Sequence, residues 1–157
     1  MKKLLLVIAI ALVSVNISLA QQGNATKDSN KLTTAEKSLY ERLGGYDALA
    51  AVTDDFLGRL LGDKMFAKFF AGASNDSKKK IRQHIVDFLC MATGGPCAYT
   101  GRDMKTAHTG LMITKEEWDA SVKHLIATLD KFKVPEKEKS EVLTAVGGLE
   151  KDIVEKK

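Results

Sequence analysis

The sequence predicts an all-α domain, and three observations predict it. After residue 35, apolar residues recur at spacings of three and four. No stretch alternates apolar and polar residues long enough to read as a strand. Helix-starting and helix-ending residues punctuate the chain at intervals that suit helices. About four long amphipathic segments and several short ones result. Four such helices can bury a core unaided, so the pattern alone supports a four-helix bundle.

The first twenty residues are not part of that domain. Lys2 and Lys3 precede an apolar run from Leu4 to Val15 broken only by Ser14, and Ser18-Leu19-Ala20 forms a small-x-small cleavage pattern. This reads as a signal peptide, cleaved after Ala20, that exports the protein to the periplasm. The alternative is a permanent N-terminal membrane anchor. The run is short of the ~20 apolar residues that a spanning helix needs. Residues 21–35 are polar and read as a disordered leader. The folded domain is expected over residues 36–157.

Within it, Leu39, Tyr40 and Leu43 mark a short helical piece before Gly44-Gly45. Leu49, Val52, Phe56, Leu57, Leu60 and Leu61 then form the stripe of a helix over residues 46–61. Met65, Phe66, Phe69 and Phe70 make a compact aromatic turn ending at Gly72. Ser74-Asn75-Asp76-Ser77 offers N-cap residues for a helix running to about Thr93, with Ile81, Ile85, Phe88, Leu89 and Ala92 on one face. After a Gly-rich loop, a short segment over 102–109 holds His108. Thr114 and Glu117 form a capping box that opens a helix with Trp118, Val122, Leu125, Leu129 and Phe132 on one stripe. Pro135 suits the first turn of the last helix, which carries Val142, Val146, Leu149 and Ile153.

Charge and cysteines exclude some functions. The formal net charge is +4, and removing Lys2 and Lys3 halves it. That is too little to argue for nucleic acid or for an anionic membrane, and neither is expected as a partner once the signal is cleaved. Cys90 and Cys97 flank Gly94-Gly95-Pro96, a turn signal that would let them pair in an oxidising compartment. Free thiols are the alternative. The C-x-x-C-H pattern of covalent haem attachment is missing.

The candidates for chemistry are histidines. Met104, Ala107, His108 and Leu111 stand at i, i+3, i+4 and i+7, so a helix here would turn His108 inward with Met104 and Leu111. A buried imidazole needs a partner. That partner is either a backbone carbonyl, which makes His108 a core residue, or a metal. His84 lies on the shoulder of its helix's apolar face, able to reach inward or to stay in solvent. His124 sits on a helix edge. Zinc takes three or four protein ligands, but Cys90 lies roughly 120° around the helix from His84. Haem needs one or two axial ligands and a broad apolar pocket. Phe56, Phe66, Phe69, Phe70, Phe88, Met104 and Trp118 supply such surface, or are simply core.

Several motifs together resemble the group I truncated haemoglobins. They are Leu39-Tyr40-Glu41-Arg42-Leu43-Gly44-Gly45, Asp55-Phe56 with Arg59-Leu60-Leu61, Phe69-Phe70-Ala71-Gly72, Gly94-Gly95-Pro96 with Tyr99-Thr100-Gly101, and Met104-Lys105 with His108. The resemblance spans about residues 38–154. It implies a two-over-two helical sandwich, the truncated globin fold, holding one haem b per chain. It puts His108 at the proximal iron ligand and Phe70 at the aromatic that wedges against the porphyrin. The distal side would be Phe56, Leu57, Ile81, Ile85, Phe88 and Leu89. Met104, Leu111, Ile113, Trp118 and Val122 would form the proximal side and rim.

The departures from that pattern carry information. Leu57 stands where the group commonly has tyrosine, and Ile81 or Ile85 where it commonly has glutamine. Losing such donors to a bound gas costs ~1–3 kcal/mol, roughly a ten- to hundred-fold faster loss of oxygen. Nitric oxide dioxygenase activity is put in doubt. His84 falls where some cyanobacterial members carry a distal histidine ligand, which would make the resting iron six-coordinate through His108 and His84. The expected function is reversible binding of O₂, NO or CO by a monomer. Electron transfer with a redox partner in the periplasm, a haem-free helical binding module, and a transition-metal site from His84, His108 and Cys97 are the alternatives.

Overall fold

The computed structural model describes residues 36–156. The expected signal peptide and leader lie outside them. Among the described residues the chain is helical and forms no strand, with one isolated parallel bridge between Thr114 and Lys156. No helix of the described residues is long and apolar enough to cross a membrane.

Local chemistry sets most boundaries. Helix α1 (Leu39–Arg42) is opened by a capping box in which Ser38 Oγ accepts from the Glu41 N–H and the Glu41 carboxylate accepts from the Ser38 N–H. Gly44 and Gly45, both at positive φ, swing the chain into α2 (Gly45–Gly62). Asp63 accepts from the Met65 N–H and starts a 3₁₀ turn (Lys64–Phe66) that runs into α3 (Ala67–Phe70). This is the expected aromatic turn. Ser74 caps α4 (Asn75–Ala92), and Asp103 caps the five-residue α5 (Met104–His108). The expected Thr114–Glu117 capping box opens α6 (Lys115–Lys131).

The last helix differs from expectation. Pro135 is the N-cap itself, and α7 (Glu136–Gly147) stops well before Ile153. A separate turn, α8 (Glu150–Ile153), follows. The Gly147-Gly148 pair explains the break, because each glycine costs a helix interior about 1 kcal/mol relative to alanine. The break lets α8 pack on α5 instead of extending α7.

Helix α2 pairs with α4, and α6 with α7, while α2 also packs on α6. The two pairs face each other as a two-over-two sandwich, which replaces the simple bundle that helical pattern alone supports. One apolar cluster, Val52, Leu125, Leu129 and Val142, fills the space between α2, α6 and α7. A second, Leu57, Leu60 and Phe66, lies toward the aromatic turn. Phe56 touches both.

Polar ties fix how the layers sit. The Asp55 carboxylate on α2 accepts from Arg59 Nε at 2.7 Å, from the Thr128 hydroxyl at 2.9 Å and from the Lys131 ammonium on α6. Arg42 of α1 pairs with Glu138 at 3.0 Å and with Glu141, both on α7.

Cys90 and Cys97 are joined as a disulfide, with Cα atoms 5.7 Å apart. The chain reverses at Gly94-Gly95 to allow it. A Cβ on Gly95 would stand 2.5 Å from the Tyr40 ring and 2.7 Å from Cys90 Sγ, so only glycine fits this crossing.

Candidate functional site

His108 ends the short α5, and its ring is oriented from within that helix. Its Nδ1 lies 2.7 Å from the Met104 carbonyl oxygen. A carbonyl can only accept, so Nδ1 carries the proton and donates. The Nε2 lone pair is then the free end of the ring, and no protein group among the described residues bonds to it. His108 thus has the backbone-carbonyl bond of the core reading, and that bond leaves Nε2 with a free lone pair, as a ligand would need. His108 and Met104 are both half-buried.

Leu111 departs from expectation. The helix ends at His108, and the chain turns at Gly110 with φ +87. The i+7 relation across this segment does not exist, and Leu111 is 40% exposed rather than turned inward beside His108.

The expected distal residues divide. Phe56, Leu57, Ile81 and Ile85 come together, with Phe70 (the expected porphyrin wedge) beside them, around the second apolar cluster, drawn from α2, α3 and α4. None carries a side-chain hydrogen-bond donor. Leu89 lies elsewhere: it lines a cavity of about 120 Å³ with Leu49, Val52, Leu125 and Val142. Phe88 borders a smaller cavity of about 30 Å³ with Leu89 and Val146, and its ring meets Tyr99 edge-on at 5.4 Å. Leu89 follows Ile85 by four residues, a rotation of only about 40° and a rise of about 6 Å, so it leaves the cluster by lying one turn further along α4. On the other side, Trp118 is buried in the first turn of α6, and Val122 follows one turn later, half-buried. Ile113 is half-buried, and its carbonyl accepts from the N–H groups of Glu155 at 2.9 Å and Lys156 at 3.1 Å.

His84 is exposed, with its ring edge-on to Tyr99 at 6.1 Å. The Tyr99 hydroxyl donates to the Arg102 carbonyl at 2.6 Å. Burial, and then the charge of Asp103, push the Tyr99 phenol above its ordinary value. His124 has a structural environment: Nε2 lies 2.8 Å from an Asp63 oxygen and the ring packs edge-on against Phe66. Burial raises the Glu117 carboxyl, but the Lys68 ammonium at 2.5 Å and the Thr114 N–H outweigh it and hold the group low.

The transition-metal alternative is overturned in its stated form. Cys97 is spent in the disulfide and has no thiolate to offer beside His84 and His108. Two residues of the site escaped the sequence reading. Tyr99 was visible only as part of a loop motif, although an aromatic in a Gly-rich loop is a usable signal. Glu155, which bonds to the segment just after His108, lies 45 residues beyond Gly110 and has no local signature.

Comparisons with known proteins agree on one family. A family model described as bacterial-like globin matches residues 38–155. The group 1 truncated haemoglobin of Mycolicibacterium paratuberculosis is 38% identical over 116 residues, covering 74% of this chain and 83% of that protein. Its counterpart from Synechocystis is 38% identical over 114 residues, covering 70% and 90%. Among solved structures, the Fe(III) truncated haemoglobin of Tetrahymena pyriformis superposes with a TM-score of 0.69 at 30% identity, over 75% of this chain and 98% of that one. The 2/2 haemoglobin of Synechococcus, in the cyanomet state with covalently attached haem, gives a TM-score of 0.69 at 33% identity, over 75% and 98%. A two-over-two helical sandwich and a family match across nearly all the described residues lead to one conclusion: the chain belongs to the bacterial-like globins, as a group I truncated haemoglobin.

Proposed function

We propose that this globin holds one haem b through His108 and reversibly binds a diatomic gas, O₂, NO or CO, at the iron. The cofactor is haem, as membership of the family implies. The assignment of His108 is carried by one observation, the Nδ1 bond to Met104, which fixes the tautomer that leaves Nε2 free as a ligand. The residues present suit a porphyrin: Phe70 and the aliphatic side chains of Leu57, Ile81 and Ile85 form an apolar cluster without side-chain hydrogen-bond donors. Haem supplies the iron that takes the gas, and the chain sets how tightly that gas is held.

The test is a haemin titration of wild type and His108→Ala. Wild type should develop a Soret band and the variant should fail to hold haem. Full retention by the variant would refute the assignment, and no band in wild type would favour a haem-free helical module.

A donor-free distal side favours fast gas release over retention. It supports a binding protein rather than a nitric oxide dioxygenase. His84 is read as an exchangeable sixth ligand. Its ring rests on Tyr99, a contact worth ~0.5–1.5 kcal/mol, which an iron bond can replace. Low-spin ferrous bands lost in His84→Ala would support this, and high-spin bands unchanged by the mutation would sink it. Export rests on the N-terminal pattern and gains support from the Cys90–Cys97 disulfide, which suits an oxidising compartment. There a monomer with two histidine ligands would suit exchange of gas, or of electrons with a redox partner.

A further inference from the structure

The helix that carries His108 is five residues long. One end is tied by Asp103, whose carboxylate accepts from the Thr106 N–H at 2.9 Å. His108 is the last residue at the other end. A single turn has too few internal bonds to hold its own terminus, because nucleating a helix fixes several residues for one bond. Something outside it must hold the exit.

The C-terminal segment does so. The Glu155 carboxylate accepts from the Gly110 N–H at 2.9 and 3.1 Å and from the Met112 N–H at 2.6 Å. Gly110 and Met112 both have left-handed backbones, φ +87 and φ +56. Such turns point neighbouring N–H groups into one concavity that suits an anion. Here the chain supplies the anion itself. Met112 is a non-glycine residue at positive φ, a conformation that needs outside support. The Ile113 carbonyl accepts from Glu155 and Lys156, and the Lys115 N–H donates to the Lys156 carbonyl at 3.1 Å. Helix α8, which delivers this strap, packs on α5 through the same short stretch, with Ile153 buried. Every bond of the strap falls within seven residues of His108, on its C-terminal side.

We propose that Glu155 is a positioning residue for His108. Its carboxylate locks the left-handed turn after α5, so the imidazole meets the haem at one fixed angle. The inference rests on His108 as the proximal ligand. Without the lock, the Gly110–Met112 turn relaxes, α5 frays from its C-terminal end, and the Met104 bond that orients the ring loosens.

Glu155→Ala and Glu155→Gln are compared with wild type and with Ser38→Ala, which removes a remote cap. Two measurements are made: haemin loss to an excess of a haem-scavenging protein, and the iron–histidine stretching band of the ferrous form. Glu155→Ala should lose haemin about tenfold faster, and Glu155→Gln, which keeps one acceptor, less so. The iron–histidine band should shift or broaden in Glu155→Ala and stay put in Ser38→Ala. In the apoprotein, amide exchange at Gly110 and Met112 should speed up in Glu155→Ala alone. If a folded Glu155→Ala keeps wild-type haemin loss and an unmoved band, the proposal is overturned while His108 ligation stands. Failure of wild type to bind haemin, or full retention in His108→Ala, would overturn both.

Discussion

At the scale of single residues, the site is decided by which atoms are left unpaired. His108 donates from Nδ1 and keeps Nε2, while the cluster of Leu57, Phe70, Ile81 and Ile85 has no side-chain donor to offer. The identity of His108 as a candidate was legible because few residue types can ligate iron and the family resemblance put this one at the proximal position. Its tautomer was not legible, since that depends on one carbonyl being 2.7 Å away. The same logic gives a gain-of-function prediction. Leu57→Tyr or Ile81→Gln restores one donor to the distal side. Either should slow oxygen dissociation by about tenfold or more, read by stopped-flow displacement with CO. No slowing in either variant would show that these positions do not face the gas. Tyr99 supplies the opposite test. Removing its ring in Tyr99→Ala frees His84, and the low-spin fraction of the ferric spectrum should rise. Tyr99→Phe keeps the ring and should keep the wild-type spectrum.

At the scale of elements, caps and breakers told the truth about where helices begin. The Thr114–Glu117 box was predicted and is present on both sides, and Thr114→Ala should cost about 1 kcal/mol in a denaturant melt. The ends were harder to read. Periodicity ran one helix from Pro135 through Ile153 and carried Leu111 onto the face of α5, because apolar spacing does not register that two glycines or a single left-handed turn interrupt the helix. How α2 meets α6 depends on Asp55, whose bonds to Lys131, Arg59 and Thr128 no local pattern announces. Those partners, Lys131 foremost, hold its carboxyl far below its ordinary value of 3.8. A depressed carboxylate stabilises the fold fully above the unfolded value and loses that contribution as pH falls toward the folded one. Wild-type stability should therefore drop from about pH 4 downward. Asp55→Asn should show a shallower drop, and at pH 7 should already be weaker by roughly 1–3 kcal/mol in urea. An unchanged acid profile would show that the ties are not made in solution.

At the scale of the whole molecule, the apolar core between α2, α6 and α7 holds the two helical pairs together, and the disulfide ties the loop after α4 back to that helix. The Cys90–Cys97 bond closes a short loop and anchors the segment that carries Tyr99 to the end of α4. By loop entropy, Cys90→Ala with Cys97→Ala should lower stability by ~2–3 kcal/mol, read by thermal melt with and without reductant. Wild type in reductant should approach the variant, and the variant should not respond.

The sequence by itself determined the helical class, the family and, through the family, the two-over-two sandwich, and it singled out His108 as the candidate ligand. These follow from spacing, capping chemistry and residue type, which are local and survive in a one-dimensional string. Tertiary structure decided the rest: that the cysteines meet, that Leu89 serves the core while Leu57, Ile81 and Ile85 share a cluster, and that His84 rests on Tyr99. It also decided that a glutamate near the end of the chain holds the turn after His108. Each of these depends on atoms far apart in sequence coming within a few ångströms. Burial and hydrogen-bond geometry select such meetings only once the whole chain has folded.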